Sequence, residues 1–297
     1  MNKPATGRQG TSLYKYTHES IIGRDALSGY GVKVEHLSTL IITMRKIPMK
    51  SPNNNGEKPV DRRRFLKYAG AGAAVLMLPF ELRMALASGT SPGKDSVLVV
   101  IDVQNCFLPG GSLPVSEGDQ IIPIINMLGK KFENVIFTQD WHTPGHASFA
   151  SSHEGKSPFD TIELPYGKQM LWPDHCVQGT KDAQLADGLD ISHAQLIIRK
   201  GYHDEVDSYS TFVEADGTTK TGLTGYLKER GLRNIFVCGL ATDFCVSWSA
   251  QHAASEGFTV SVIEDACKGI DLDGSMAGAW QAMKEAGVER ITSNDIS

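Results

Sequence analysis

The chain has 297 residues, 41% of them apolar and 21% charged, with a formal net charge of -5. This is ordinary globular composition, and it excludes a collagen-like, coiled-coil or wholly disordered chain. The mildly acidic balance argues against a nucleic-acid surface, and no run of interleaved basic and aromatic residues marks one. Five cysteines, an odd number without regular spacing, argue against a disulfide scaffold and leave at least one thiol free.

The average charge hides a division. Lys and Arg outnumber Asp and Glu 14 to 6 through Ala87, and trail them 15 to 28 from Ser88 onward. Residues 1–60 are polar, lack sustained periodicity and pass through Asn53-Asn54-Asn55-Gly56. They read as a disordered extension or as residues ahead of the true start, since Met49 lies about a dozen residues before Arg62, a natural length for the charged start of a signal. Residues 61–87 hold Arg62, Arg63 and Arg64, then an apolar run from Tyr68 to Leu78, then Ala85-Leu86-Ala87. A charged start, a short apolar stretch and a small-x-small cleavage site, in that order, resemble a twin-arginine export signal. The uncharged run of about 11 residues is too short for the ~20 that a membrane-spanning helix needs. The expected partner is therefore the twin-arginine export machinery. The expected location is periplasmic or otherwise extracytoplasmic, and cytoplasmic if the signal is not used. Residues 88–95, with Ser88, Gly89, Pro92 and Gly93, read as a linker.

Residues 96–297 are enough for one domain. Val97–Ile101 is a continuous apolar, mostly β-branched run, which reads as a fully buried strand. Val135–Phe137, Leu196–Ile198, Ile235–Val237 and Val260–Ile263 read the same way, and Glu289–Thr292 is a weaker sixth. Amphipathic stretches at about 120–132, 223–230, 244–256 and 276–286 fall between strands. Buried strands alternating with helices predict a three-layer α/β/α fold with a mainly parallel six-stranded sheet covered on both faces. Such sheets bind ligands beyond the carboxyl ends of their strands.

Those ends carry chemistry. Asp102 follows the first strand, Asp140-Trp141-His142 the second, Arg199-Lys200 the third, and Gly239-Leu240-Ala241-Thr242-Asp243-Phe244-Cys245 the fourth. Thr242 is placed to cap the next helix, which would put Cys245 in its first turn, where free N–H groups favour a thiolate or an oxyanion. A carboxylate can take the thiol proton and a lysine can hold both anions. Asp140 and His142, two apart on extended chain, point the same way. His146, His153 and His175 follow, and such Asp/His mixtures, two ligands two apart plus a distant third, suit Zn, Fe or Mn. Cys106, Cys238 and Cys267 read as buried structural thiols, and Cys176 as a packing residue beside a ligand. His153, His193, His203 and His252 read as surface or hydrogen-bonded histidines.

The run from Asp102 to Leu113 (Asp-Val-Gln-Asn-Cys-Phe-Leu-Pro-Gly-Gly-Ser-Leu) closely resembles the opening motif of nicotinamidases, within the isochorismatase-like cysteine hydrolases. Thr138–His142 with His146–Ala150, Trp172–Thr180, Lys200-Gly201, Asp207–Ser210 and Gly239–Val246 continue the resemblance in order, across nearly all of residues 96–297. Relatives acting on isochorismate typically lack the cysteine, and carbamoyl amidases typically lack the metal loop; both are present here. The resemblance implies a catalytic triad of Asp102, Lys200 and Cys245 and metal ligands Asp140, His142 and His175. His146 would stand behind those ligands or act as an occasional one. Phe107 and Trp172 fall where family members sandwich a pyridine ring, and Tyr209 lies in a further substrate-binding motif. Leu240–Ala241 falls where the family has a cis peptide, and the N–H groups of Ala241 and Cys245 would form the oxyanion hole.

The expected activity is deamidation of nicotinamide to nicotinate and ammonia through a thioester, with one divalent metal ion, zinc first and iron or manganese as alternatives. The family often assembles, so a homo-oligomer is compatible. One alternative keeps the triad and changes the small amide. Another, of a different class, is an extracytoplasmic ligand- or metal-binding protein without turnover.

Overall fold

In the computed structural model, residues 91–297 are described; the expected extension 1–60, the expected export signal 61–87 and the start of the expected 88–95 linker lie outside the described residues. Six strands form one parallel sheet: β1 (Ser96–Ile101), β2 (Val135–Asp140), β5 (Ala194–Lys200), β6 (Asn234–Leu240), β7 (Thr259–Lys268) and β8 (Glu289–Ile291). Their spatial order is β5-β2-β1-β6-β7-β8. All six lie where the sequence places strands, but β5, expected to be fully buried, is an edge strand that alternates half-buried and exposed residues, with Ile197 exposed. β1 and β2 are buried along their whole length, which is why they read as unbroken apolar runs.

Four helices connect them: α1 (Ile122–Gly129), α2 (Leu223–Glu229), α3 (Ser247–Ser255) and α4 (Ser275–Glu285). From β1 the chain moves outward to β2 and β5, then returns to β6 and proceeds the other way. Right-handed crossovers therefore place α1 on one face and α2, α3 and α4 on the other. The reversal between β1 and β6 is a topological switch point, where parallel sheets open a crevice. Asp102 and the segment leading to Cys245 leave the sheet there. Among the described residues, no helix is long and apolar enough to cross a membrane.

Two local features depart from the expected pattern. Between β2 and β5 lies an antiparallel hairpin, β3 (Thr161–Leu164) and β4 (Gly167–Met170). Its residues are mostly exposed or half-buried, so it lacks the apolar signature of the main strands. Thr242 does not cap a helix with its side chain; Thr242–Val246 forms a π-helical turn that runs straight into α3. The Thr242 hydroxyl is buried without a hydrogen-bond partner among the described residues, and the turn closes through Phe244 and Val246 N–H groups donating to the Ala241 carbonyl at 3.1 Å each. Cys245 is thus presented from a widened turn rather than from the first turn of a capped α-helix.

Candidate active site

Because β5, β2, β1 and β6 are neighbours, their carboxyl ends deliver Lys200, Asp140, Asp102 and the Cys245 turn to one place. Lys200 is fully buried and sits at the centre. Its Nζ lies 2.9 Å from Asp102 Oδ2 and 3.3 Å from Cys245 Sγ, donates to the Ser208 carbonyl at 2.8 Å, and also pairs with Asp140 Oδ1. Burial alone would lower the lysine pKa, but Asp102 and Asp140 outweigh it and raise it well above its ordinary value. The lysine is therefore a fixed cation.

Asp102 is held from the far side. Thr138 Oγ1 donates to its Oδ1 at 2.5 Å and accepts from its backbone N–H at 3.1 Å. Oδ2 touches Lys200 but accepts no well-aligned hydrogen bond among the described residues. Burial raises the Asp102 pKa, against the lowering effect of Lys200. Burial likewise pushes the Cys245 thiol well above its ordinary value, again opposed by Lys200. The resting thiol is thus protonated, with a carboxylate oxygen of Asp102 within 4.8 Å of Sγ. That arrangement suits proton transfer during attack rather than a standing thiolate.

Asp140 divides its two oxygens. Oδ1 pairs with Lys200, whereas Oδ2 lies 3.7 Å from His142 Nε2 and 3.9 Å from His175 Nε2. Both histidines engage Nδ1 with a backbone carbonyl, Gly201 and Pro173 respectively, each at 2.8 Å. This orients both Nε2 atoms toward one point, as metal-binding histidines require. One carboxylate oxygen and two imidazole nitrogens, all buried and mutually within 4.8 Å, fit a divalent cation such as zinc. His175 is pushed down to about 4 by burial and by His142, so it stays neutral at neutral pH, as a ligand must. Gly201, at φ +64°, makes the cradle possible: a Cβ there would lie 2.6 Å from His142 Cε1.

His146 stands beside this cradle. Its ring centroid is 4.5 Å from that of His142, and its two nitrogens engage Ser148 Oγ at 2.8 Å and the His203 carbonyl at 2.9 Å. His153 bonds the Ala147 carbonyl and His203 pairs with Glu214, each at 2.8 Å, while His193 lies 3.8 Å from Asp190.

A narrow cavity of about 20 Å³ lies between cradle and thiol. Phe107, Trp172, Tyr209, Ala241 and Cys245 all line it, alongside Asp140 and His175. The Leu240–Ala241 peptide bond is cis. Trp172 Nε1 donates to the Tyr209 hydroxyl at 2.9 Å, fixing two of the walls against each other.

Several site residues have roles that the sequence analysis did not assign. Gln104 donates to the Asp140 carbonyl and accepts from the Asp140 N–H, both at 2.8 Å, so it pins the backbone of that ligand. Asp207, buried at the cavity wall, accepts from Gln169 Nε2 at 2.8 Å, and the same amide reaches the Tyr209 hydroxyl at 3.2 Å. Asp243 accepts from the Ile270 and Asp271 N–H groups at 3.0 and 2.8 Å and from Ser275 Oγ at 2.5 Å. It thereby ties the Cys245 turn to the loop that places Ile270 in the wall. Cys106 and Cys176 are not separate packing thiols: they form a disulfide, with Cα atoms 5.6 Å apart across 70 residues. Cys238, Cys245 and Cys267 remain free.

The isochorismatase domain model matches residues 96–295. A nicotinamidase from Acinetobacter baylyi is 57% identical over 216 residues, which cover 73% of this chain and 98% of that protein. The solved structure of an Acinetobacter baumannii nicotinamidase/pyrazinamidase is 61% identical, with a TM-score of 0.68, covering 68% of this chain and 98% of the other. A Pyrococcus horikoshii pyrazinamidase, solved in complex with zinc, is 34% identical with a TM-score of 0.55, covering 67% of this chain and 99% of the other. With the fold, the strand-end residues and these likenesses in agreement, the chain belongs to the isochorismatase family, on its nicotinamidase branch.

Proposed function

We propose that this protein hydrolyses nicotinamide to nicotinate and ammonia, and accepts pyrazinamide, with Cys245 as nucleophile. The observation that carries the reading is the buried contact of Lys200 Nζ with both Asp102 Oδ2 and Cys245 Sγ, at 2.9 and 3.3 Å, beside a cavity lined by Phe107, Trp172 and Tyr209. The names of the relatives supply the substrate class.

In the proposed sequence, the cavity holds the pyridine ring between Phe107 and Trp172 and presents the carboxamide carbon to Sγ. Asp102 takes the thiol proton as Sγ attacks. The tetrahedral oxyanion is held by the N–H groups of Ala241 and Cys245. Asp102 then returns the proton to the departing nitrogen, and ammonia leaves a thioester on Cys245. Asp102 next accepts a proton from the water that attacks the thioester and passes it to Sγ as the C–S bond breaks, which releases nicotinate and restores the thiol. Lys200 stays charged throughout and balances whichever of Asp102 and Sγ is anionic. Asp140, His142 and His175 would hold a divalent ion, zinc being the first candidate, which supplies Lewis acidity toward the ring nitrogen and bound water.

The test is ammonia release and nicotinate formation by the purified protein with its metal content recorded. Turnover is expected. Metal-loaded, folded protein that leaves nicotinamide intact overturns the substrate assignment and directs the search to other small amides.

We further propose that the enzyme acts outside the cytoplasm after twin-arginine export. The Arg62-Arg63 signal supports this, and so does the Cys106–Cys176 disulfide, since disulfides persist in oxidising compartments. Replacing Arg62 and Arg63 together by Lys is expected to retain the protein in the cytoplasm on cell fractionation; unchanged export removes the signal reading.

A further inference from the structure

We propose that the Cys106–Cys176 disulfide is a redox clamp on the metal cradle, so that the oxidised protein retains its metal and the reduced protein releases it. This rests on the reading of Asp140, His142 and His175 as metal ligands.

The bridge joins two walls of the site. Cys106 lies in the 3-10 turn Asn105–Phe107 that follows β1, next to Phe107, whose ring meets the His175 ring edge-on at 5.6 Å between centroids. Cys176 follows His175 directly. Its carbonyl accepts from the His142 N–H at 3.1 Å, and Gln178 N–H returns to the His142 carbonyl at 2.9 Å. The disulfide is therefore one residue from one histidine and one hydrogen bond from the other.

The His175 segment is also held at its ends: Trp172 pairs with Ser148 and Ala150 through two backbone hydrogen bonds at 2.8 Å, Ser151 Oγ donates to Asp174 Oδ1 at 2.5 Å, and Cys176 and Gln178 pair with His142. Among the described residues, no backbone N–H from Asp174 to Val177 donates to a backbone carbonyl. Cys176 also sits at φ 47°, in the left-handed region that a non-glycine residue rarely adopts. By contrast, the Cys106 turn is well anchored: the N–H groups of Asn105 and Cys106 donate to the Gln184 and Asp182 carbonyls at 3.0 and 2.8 Å. The sulfur bridge thus ties the ligand segment covalently to a well-anchored turn at the switch point of the sheet. Both cysteines are fully buried, and neither is the nucleophile. Reduction alters the cradle without consuming Cys245.

The chemistry is a two-electron exchange. When the segment opens locally and exposes the buried bridge, a thiolate of a dithiol attacks one of its sulfurs, the S–S bond breaks, and the second thiol of the reductant resolves the mixed disulfide. Cys106 and Cys176 end as protonated thiols and the reductant as its disulfide. The loop is then free to move His175 away from Asp140 Oδ2, which weakens the site in the way that loss of a supporting contact weakens other metal centres, about 10- to 100-fold.

The test uses the full chain loaded with zinc. Non-reducing peptide mapping is expected to recover Cys106 and Cys176 in one linked peptide, and thiol titration in denaturant to find the three remaining cysteines free. Zinc transfer to a chromogenic chelator is then followed before and after a water-soluble phosphine, chosen because dithiols bind zinc. Reduction is expected to speed transfer about tenfold or more. The double variant C106S/C176S is expected to match the reduced protein and to ignore the phosphine. If that variant does not fold, the wild-type pair, reduced and reoxidised, carries the comparison. Equal transfer rates in both redox states, or free Cys106 and Cys176 in protein purified without reductant, overturn the clamp. Protein that binds zinc in neither state overturns the cradle reading and the clamp together.

Discussion

The side of the cavity that carries the proposed nucleophile (the nucleophile side) and the side that carries the proposed metal ligands (the metal side) are built by different means. Cys245 rises from β6 through a π-helical turn that continues into α3, and Asp243 stitches that turn to the following loop with three hydrogen bonds. Asp102 directly follows β1 in the middle of the sheet. The metal side depends on a long excursion between β2 and β5, with a small hairpin, two histidines braced by carbonyls, and a disulfide. One side inherits its order from the sheet; the other needs local fastenings. They meet at Asp140, with one oxygen on Lys200 and the other toward the histidines. A useful substitution therefore shows which side it disturbs.

The largest separation is expected from Cys245→Ala. Removing a nucleophile costs roughly four or more orders of magnitude in kcat, and the metal ligands are untouched. The expected result is negligible ammonia release with normal metal content. Appreciable turnover by this variant rejects Cys245 as nucleophile, and loss of metal rejects the independence of the two sides. Lys200→Met breaks both sides at once. It leaves Asp102 and Asp140 buried without their cation, which costs about 3–5 kcal/mol when a buried pair loses one partner. A large fall in Tm alongside lost activity is expected from thermal unfolding; an unchanged Tm places the charge balance elsewhere.

The same contrast decides what was legible in the sequence. The nucleophile side was readable because buried parallel strands are continuous apolar runs and the residue just after each has a known place. Val97–Ile101 leading to Asp102 needed no tertiary information, and Ile235–Val237 placed the Cys245 segment at the sheet's carboxyl edge but not the π-helical turn that presents the thiol. The paired orientation of Asp140 and His142 was readable from strand geometry alone. The β3–β4 hairpin was not, because its half-exposed residues carry neither the strand nor the helix period. The Cys106–Cys176 pairing was not, because only the fold brings together positions 70 residues apart. Gln104, Gln169, Asp207 and Asp243 are ordinary polar residues until their partners are known. Thr242 had the right residue type for a cap, but the wider turn carries its hydroxyl away from the backbone donors.

Gly201→Ala tests the metal side alone. The new methyl would collide with the His142 ring, at a backbone angle that disfavours any side chain. A displaced His142 is expected to weaken metal binding about 10- to 100-fold, with kcat near normal once metal saturates the site. Metal titration monitored together with activity separates the two effects. Unchanged metal affinity means that His142 is not held by its contact with this backbone.

Asp243→Asn is expected to have the smallest effect and to report on the nucleophile side without touching the reacting atoms. The carboxylate accepts from two N–H groups at one end of the 269–275 loop and from the Ser275 hydroxyl. An amide presents one oxygen and one donor. Whichever way it turns, a backbone N–H faces a second N–H, and the lost hydrogen bond costs about 1–3 kcal/mol. The loop then samples positions in which Ile270 no longer closes the cavity wall, while Lys200, Asp102 and Cys245 keep their contacts. The expected signature is KM raised about 5- to 20-fold with kcat within about threefold, the pattern of lost uniform binding. A fall in kcat at unchanged KM would mean that Asp243 holds Cys245 itself in register, and that the nucleophile side is less self-sufficient than the sheet makes it.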